Sequence, residues 1–283
     1  MNRARFKERM VWNGHSLDFS GRTLVMGILN VTPDSFSDGG RYYEPEQAII
    51  HGIELIRAGA DILDIGGEST RPGSESVSAD EQISRVIPVV ENLSKRTPVP
   101  ISIDTTSVEV ARAAIDAGAS IINDISGLRF EPEMAALAAE REVPVIIMHM
   151  MGLPRTMQIS PSYVDPVGEI KSFLAERVEW AVREGISREK IIIDVGIGFG
   201  KRLEDNLAIL KHIDNFFDLG LPVLVGHSRK SFIGMLTGEP VEQRDSATLA
   251  VSMFLAAHGV HILRVHDVEP TRQGCEIIGK ILG

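Results

Sequence analysis

Residues 101–126 read ISIDTTSVEVARAAIDAGASIINDIS. An apolar run at 101–104 ends in Asp104, a helix-like stretch covers 107–117, Gly118 stands just past it, and a second apolar run occupies 121–126. A glycine in that place supplies the left-handed residue that commonly ends a helix. This strand–helix–strand unit sets the pattern for the whole chain. Further Ile- and Val-rich runs lie at 23–30, 61–66, 143–150, 191–196, 222–228 and 261–267, which makes eight strands. Helix-like stretches alternate with them at 45–58, 80–96, 132–141, 166–184, 204–213, 246–258 and 270–281. Gly59, Gly185 and Gly259 mark other helix ends, and Pro45, Pro132 and Pro166 sit in first turns.

Strands apolar on both faces, each followed by a helix, belong to a parallel α/β sheet covered on both sides. Eight such units with nothing left over predict a closed (β/α)8 TIM barrel, with a doubly wound open sheet as the alternative. One further element stands at the amino end, where Asn13-Gly14 between partly apolar arms predicts a short β-hairpin over 11–20. No repeat, linker or low-complexity tract divides the chain, so one domain over 1–283 is expected.

The 283 residues are 43% hydrophobic, 24% charged and 5% aromatic, which excludes disordered and collagen-like classes. A net charge of −10, from 29 Lys+Arg against 39 Asp+Glu, repels phosphate backbones and argues against a nucleic-acid partner. No apolar segment of signal-peptide length follows the basic residues 1–9. The stretch 247–263 is interrupted by Thr248, Ser252, His258, Gly259 and His261, and reads as a helix then a strand, not a membrane span. Cys275 is the single cysteine, so no intrachain disulfide forms and a reducing compartment fits. A cytoplasmic protein without membrane association is expected.

In a TIM barrel the chemistry gathers at the C-terminal strand ends. Those ends carry Asn30, Asp64, Asp104, Asn123, Met148-His149, Asp194, Ser228 with Lys230 just after, and Arg264-Val265-His266. Alternation puts Asn30 on one face with Met26 and Ile28, Asp64 with Ile62, Asp194 with Ile192, and Arg264 with Ile262 and His266. Taken singly, each reads equally well as a helix cap or a surface ion pair. Several buried carboxylates and cations at one mouth are costly without mutual pairing or a ligand, so the set points to a polar ligand. Asp104, Asn123 and Asp194 combine carboxylate acceptors with an amide, which matches the amino-imine edge and ring carbonyl of a pterin or guanine. A carboxylate metal cluster is the less favoured reading. Arg71, Lys230, Arg264 and His266 suit a cationic rim for phosphate or diphosphate.

Two loops, 30–40 and 66–73, are dense in turn formers and hydroxyls and are expected to close over the mouth. The run GIGFGK at 196–201 misses both the dinucleotide-binding spacing and the P-loop. It reads as a glycine-rich loop that lets a flat ring approach the backbone.

The stretches 26–40, 64–73, 102–104, 123–127, 149–152, 226–231 and 264–267 resemble, in order and over essentially the whole chain, those of the dihydropteroate synthase family. The first loop and Ser228-Arg229-Lys230-Ser231 are the most specific. The resemblance implies a transferase that joins 6-hydroxymethyl-7,8-dihydropterin diphosphate to 4-aminobenzoate, giving 7,8-dihydropteroate and diphosphate. It implies that Asp104, Asn123, Asp194 and Lys230 hold the pterin, with Ile125, Met148 and Phe199 lining its pocket. Asn30 would bind Mg2+ beside the diphosphate oxygens, and Asn30, Thr70, Arg71, Arg264 and His266 would clamp the diphosphate. Phe36, Thr70, Pro72 and Ser231 would frame aminobenzoate. Catalytic roles would fall to Asp38, Arg71, Lys230, Arg264 and His266, with Asp38 beside a developing cation and no strong general base required. A homodimer is also implied, and the apolar stretch 249–257 would suit its face. The alternatives are a pterin-dependent methyltransferase, which would have no need of the Ser-Arg-Lys-Ser and Arg-Val-His runs, and a pterin-binding paralogue without turnover. One departure stands out: Val195 occupies a position where the family usually has proline, which leaves the pose of Asp194 open.

Overall fold

The computed structural model describes residues 8–32, 44–69 and 77–282. Its first element is the expected hairpin, in which β1 (Arg9–Trp12) and β2 (His15–Asp18) pair antiparallel with Trp12 opposite His15. Asn13 and Gly14 link them at φ 41° and 83°, the left-handed pair that a two-residue turn needs. The alternating units follow as β3 (Leu24–Asn30), α1 (Glu44–Arg57), β4 (Ile62–Gly66), α2 (Ala79–Ser94), β5 (Ile101–Asp104), α3 (Val108–Asp116), β6 (Ile121–Asp124) and α4 (Glu133–Arg141). The second half comprises β7 (Val145–Met148), α5 (Pro166–Arg183), β8 (Ile191–Asp194), α6 (Leu203–Lys211), β9 (Val223–Gly226), α7 (Ser231–Thr237), α8 (Asp245–Ala257), β10 (Ile262–Val265) and α9 (Val268–Leu282). Element ends differ from the sequence reading by no more than two residues. The short helix α7, inside the β9–α8 connection, was not anticipated.

The eight long-range strands close into a parallel barrel in the order β10-β3-β4-β5-β6-β7-β8-β9, which removes the open-sheet alternative. Period-two alternation sorts their side chains. Val25, Leu29, Leu63, Ile65, Ile103, Ile147, Ile193 and Val265 face outward and pack in one continuous core beneath the helices. Met26, Ile62, Ile121, Ile146, Ile192, Leu224 and Ile262 face inward and form a second cluster with Met10, Trp12, Leu17 and Phe19. The hairpin therefore plugs the amino-terminal end of the barrel. Trp12 Nε1 anchors it by donating to the carbonyl of Ser120 at 2.8 Å. With that end filled by apolar side chains, the polar inward positions are left at the opposite mouth. Among the described residues no helix is long and apolar enough to cross a membrane. Cys275 is buried and unpaired.

Candidate active site at the open mouth of the barrel

The inward positions at the carboxyl ends of β4, β5, β6, β8 and β10 are Asp64, Asp104, Asn123, Asp194 and Arg264. Register places Ile28 level with Asp64, and Asp104 level with Asn123. Arg264 enters from β10 and reaches past β3. Its Nε donates to Asp64 Oδ2 at 2.5 Å and its Nη2 to Asp104 Oδ2 at 2.8 Å. Asn123 Nδ2 donates to Asp64 Oδ2 at 3.1 Å and to Oδ1 at 3.3 Å. With Nδ2 committed to Asp64, the Asn123 amide offers a ligand its carbonyl oxygen. Burial pushes the Asp104 carboxyl up to about 7; Arg264 pulls it down, while Asp64, Asp124 and Asp194 add to the rise. Burial works against charge on Arg264, but Asp64 and Asp104 outweigh it and hold the guanidinium above its usual range.

Across the mouth, Asp194 Oδ1 accepts the backbone N–H of Gly196 at 2.7 Å. Burial raises this carboxyl, and Lys230, the Gly196 N–H, Arg264 and Lys201 hold it down. Lys230 Nζ donates to the carbonyl of Ile197 and lies 4.2 Å from the centre of the Phe199 ring. Burial pushes its amine down to about 7, with Asp194 opposing that shift and Arg264 adding to it. Below these polar groups Ile125, Met148, Met150 and Met157 form a buried apolar cluster against which Phe199 packs. A carboxylate–amide edge beside an apolar wall suits a flat heterocycle.

The glycine-rich loop is shaped by close approach. Gly196 has φ 65°, and a Cβ there would stand 1.9 Å from the His149 carbonyl oxygen. Gly198 has φ 81°, and a Cβ would come within 3.0 Å of Lys230 Cδ. Within the Ser-Arg-Lys-Ser run, Arg229 adopts φ 58° and turns away, pairing with Asp245 at 2.7 and 2.9 Å. That turn sends Lys230 toward Asp194. Ser228 Oγ lies 2.9 Å from His266 Nδ1 and accepts the His266 N–H at 3.2 Å, tying β9 to β10. Ser231, the first residue of α7, lines a cleft of about 250 Å³ together with Gln158, Arg202 and Met235. Phe36, Asp38, Thr70, Arg71 and Pro72 lie outside the described residues.

A family model described as pterin binding enzyme matches residues 26–266. The dihydropteroate synthase of Synechocystis sp. is 48% identical over 92% of this chain and 90% of its own. The structure of Xanthomonas albilineans dihydropteroate synthase with 4-aminobenzoic acid superposes with a TM-score of 0.92 at 45% identity, covering 98% of each chain. A structure of the same organism's enzyme in complex with 7,8-dihydropteroate gives a TM-score of 0.88 at 43% identity, over 97% of this chain and 99% of the other. This chain belongs to the dihydropteroate synthase family.

Two features distinguish the site from what the dihydropteroate synthase resemblance implied. Arg264 and His266 were read as one cationic rim, yet they have different partners: Arg264 turns into the barrel onto two carboxylates, whereas His266 follows the end of β10 and meets Ser228. The Val195 departure from the family's proline leaves Asp194 well anchored. Its side chain takes the Gly196 N–H, its carbonyl accepts the His149 N–H at 3.0 Å, and Val195 is itself fully buried.

Three buried groups, to which the sequence reading gave no role, join the contacts of the candidate site. Asp64 stood among the strand ends but received no role, and it is the residue that joins Arg264 to Asn123. Asp124 accepts the N–H groups of Ser126 at 2.7 Å and Leu128 at 3.2 Å, which folds the turn carrying Ile125; burial pushes its carboxyl up to about 6. Lys201 closes the glycine-rich loop from within. Asn30, named for the metal, ends β3 level with Gly66 and is partly exposed. Among the described residues there is no group of three or more His, Cys, Asp or Glu suited to a metal ion.

Proposed function

We infer that the protein is a dihydropteroate synthase, a transferase that condenses 6-hydroxymethyl-7,8-dihydropterin diphosphate with 4-aminobenzoate to give 7,8-dihydropteroate and diphosphate. The observation that carries this reading is the Asp64–Arg264–Asp104 ion pair, with Asn123, Asp194 and Lys230 around it above an apolar wall. Asp104, Asn123 and Asp194 bind the polar edge of the pterin, and Ile125, Met148 and Phe199 pack on its face. Asp64 orients Asn123 and Arg264. The bond from the pterin methylene carbon to the diphosphate oxygen breaks, and its electron pair leaves with diphosphate. The electron-rich dihydropterin ring bears the positive charge left behind. The arylamine nitrogen then forms the new C–N bond and releases its proton.

Lys230, Arg264 and His266, with Thr70 and Arg71 from the second loop, stabilise the departing negative charge. Asp38 stands beside the cation. Phe36, Thr70, Pro72 and Ser231 frame aminobenzoate. Asn30 would supply a neutral amide oxygen to a Mg2+ ion that arrives with the diphosphate; among the described residues no carboxylate cluster adds to it. Held there with the diphosphate, the ion would supply charge neutralisation on the leaving group. Methyl transfer would leave Lys230, Arg264 and His266 with no departing diphosphate to stabilise. A cytoplasmic homodimer is part of the same proposal; the exposed Phe254, Ile277 and Ile281 of α8 and α9 support the paired face.

The deciding experiment is diphosphate release from dihydropterin diphosphate in Mg2+ buffer, with and without 4-aminobenzoate. Release that depends on aminobenzoate and yields dihydropteroate establishes the transferase. Tight pterin binding without release would assign the chain to a non-catalytic relative.

A further inference from the structure

Lys201 ends the glycine-rich loop and takes no part in the reaction as derived above. Its side chain is almost fully enclosed, at 3% exposure. Nζ lies 2.7 Å from the Gly196 carbonyl oxygen, 2.9 Å from His149 Nδ1, 3.1 Å from the Phe199 carbonyl oxygen and 3.4 Å from that of His149. Burial pushes the His149 ring down to about 2, with Lys201 and Arg129 adding to the fall, so the imidazole is neutral. Nζ donates to the Gly196 and Phe199 carbonyl oxygens, and the neutral His149 ring completes the set through Nδ1.

Burial and then Lys230 push the Lys201 amine well below its usual range, with Asp194 and Asp205 opposing that shift, so a lysine enclosed here is a costly way to close a loop and calls for a reason beyond packing. The reason lies in what its partners carry. Gly196 presents the N–H that holds Asp194, and Phe199 presents the ring that faces Lys230. His149 follows Met148, part of the apolar wall. One amine therefore joins the loops after β7 and β8 behind the pterin subsite. It also sits near Asp194, whose carboxyl it helps to hold down.

We propose that Lys201 is a positioning residue for the pterin subsite, whose buried amine locks Gly196, Phe199 and His149 together and thereby fixes the poses of Asp194 and Lys230. The proposal rests on the dihydropteroate synthase reading. The groups that bear on it are Lys230, Arg264 and Asp104 around Asp194, and Lys230, Asp194, Asp205 and the neutral His149 ring around Lys201.

The test uses the full chain with Lys201→Met, and Lys201→Gln as a second uncharged variant. Both substrates are titrated, and kcat/KM is followed against pH. The expected KM for dihydropterin diphosphate rises on the order of tenfold, while that for aminobenzoate changes less than about threefold. The acidic limb of kcat/KM moves up, because the Asp194 carboxyl loses one of the groups that hold it down. Tyr163→Phe is the control for loop packing: Tyr163 Oη donates to the Gly200 carbonyl at 2.8 Å in the same loop but brings no charge. It should keep the parent's KM values and pH profile. Equal changes for both substrates, an unmoved acidic limb, the same effects from Tyr163→Phe, or failure of both Lys201 variants to fold would each overturn the proposal. Turnover by the parent protein, run alongside, separates such an outcome from failure of the transferase reading.

Discussion

Removing the Asp64 carboxylate exposes how the mouth of the barrel is balanced. Asp64 is fully buried and accepts Arg264 Nε at 2.5 Å and Asn123 Nδ2 at 3.1 Å. In Asp64→Ala the guanidinium keeps Asp104 alone, and the Asn123 amide loses its acceptor. Breaking a buried ion pair from one side costs about 3–5 kcal/mol, because the remaining charge stays desolvated. An unfolding entropy of about 2.1 cal/mol/K per residue gives roughly 0.6 kcal/mol/K for a 283-residue chain, so Tm should fall by about 5–8 °C. If stranded charge is the cause, taking away Arg264 as well must return part of the loss. The assay is thermal unfolding of Asp64→Ala, Arg264→Met and the double variant, arranged as a cycle. The double variant should be more stable than the sum of the singles predicts by at least about 2 kcal/mol. Affinity for the pterin diphosphate should collapse in Asp64→Ala, since the carboxylate orients both Asn123 and Arg264. Losses that add to within about 0.5 kcal/mol would refute the reasoning, for they would mean that Asp64 and Arg264 act independently.

Gly196→Ala should destabilise the fold by more than about 1 kcal/mol and weaken pterin binding, because φ is 65° and the new Cβ would meet the His149 carbonyl at 1.9 Å. Melting curves and calorimetry would check it, and parent-like values in both would remove the loop from the pocket. Val195→Pro, which installs the family's usual residue, should leave kcat/KM within about twofold, since Asp194 is already held through its side chain and its carbonyl. A tenfold gain would show that the valine loosens the site. Asp104 titrates near 7 when folded against 3.8 as a free side chain, so the folded state holds its proton more tightly than the unfolded one. The stability this group contributes is therefore complete below about pH 4 and lost as pH rises through about 7. Asp104→Asn should accordingly gain on the parent in Tm between pH 5 and pH 8; a constant difference would show that burial does not raise this carboxyl.

The barrel was legible because its signals are local and repeated. Gly59, Gly118, Gly185 and Gly259 each mark a helix end, and each has positive φ in the fold. Asn13-Gly14 made the hairpin visible for the same reason. Closure is the one long-range step, and it followed from having eight similar units and nothing left over. Two things escaped. Helix α7 is a single short stretch that contains Gly234 and ends at Gly238, too brief for its periodicity to register. The destination of the hairpin was also hidden, because nothing in residues 9–18 says that Met10, Trp12 and Leu17 fill the end of a barrel whose walls are assembled from the entire chain.

The candidate site was legible as a set of residue types and not as a set of pairs, and the reason is geometric. Alternation along one strand says which side chains face the interior, so Asp64, Asp104, Asn123, Asp194 and Arg264 could be chosen from sequence. Which of them touch depends on stagger between strands far apart in the chain. Arg264 and Asp64 are separated by 200 positions and by the intervening strand β3, about 10 Å at ordinary strand spacing, a gap that a long arginine side chain bridges. No spacing along the chain encodes that contact. The same limit explains Lys201, whose partners His149, Gly196 and Phe199 are two near neighbours and one residue 52 positions away. Its enclosure turns an ordinary surface residue type into a buried amine, and only the assembled loops after β7 and β8 create that enclosure. Residue chemistry at strand ends therefore suffices to nominate a pterin and diphosphate site, while the division of labour within it, with Asp64 orienting and Arg264 shared between two carboxylates, belongs to the closed barrel alone.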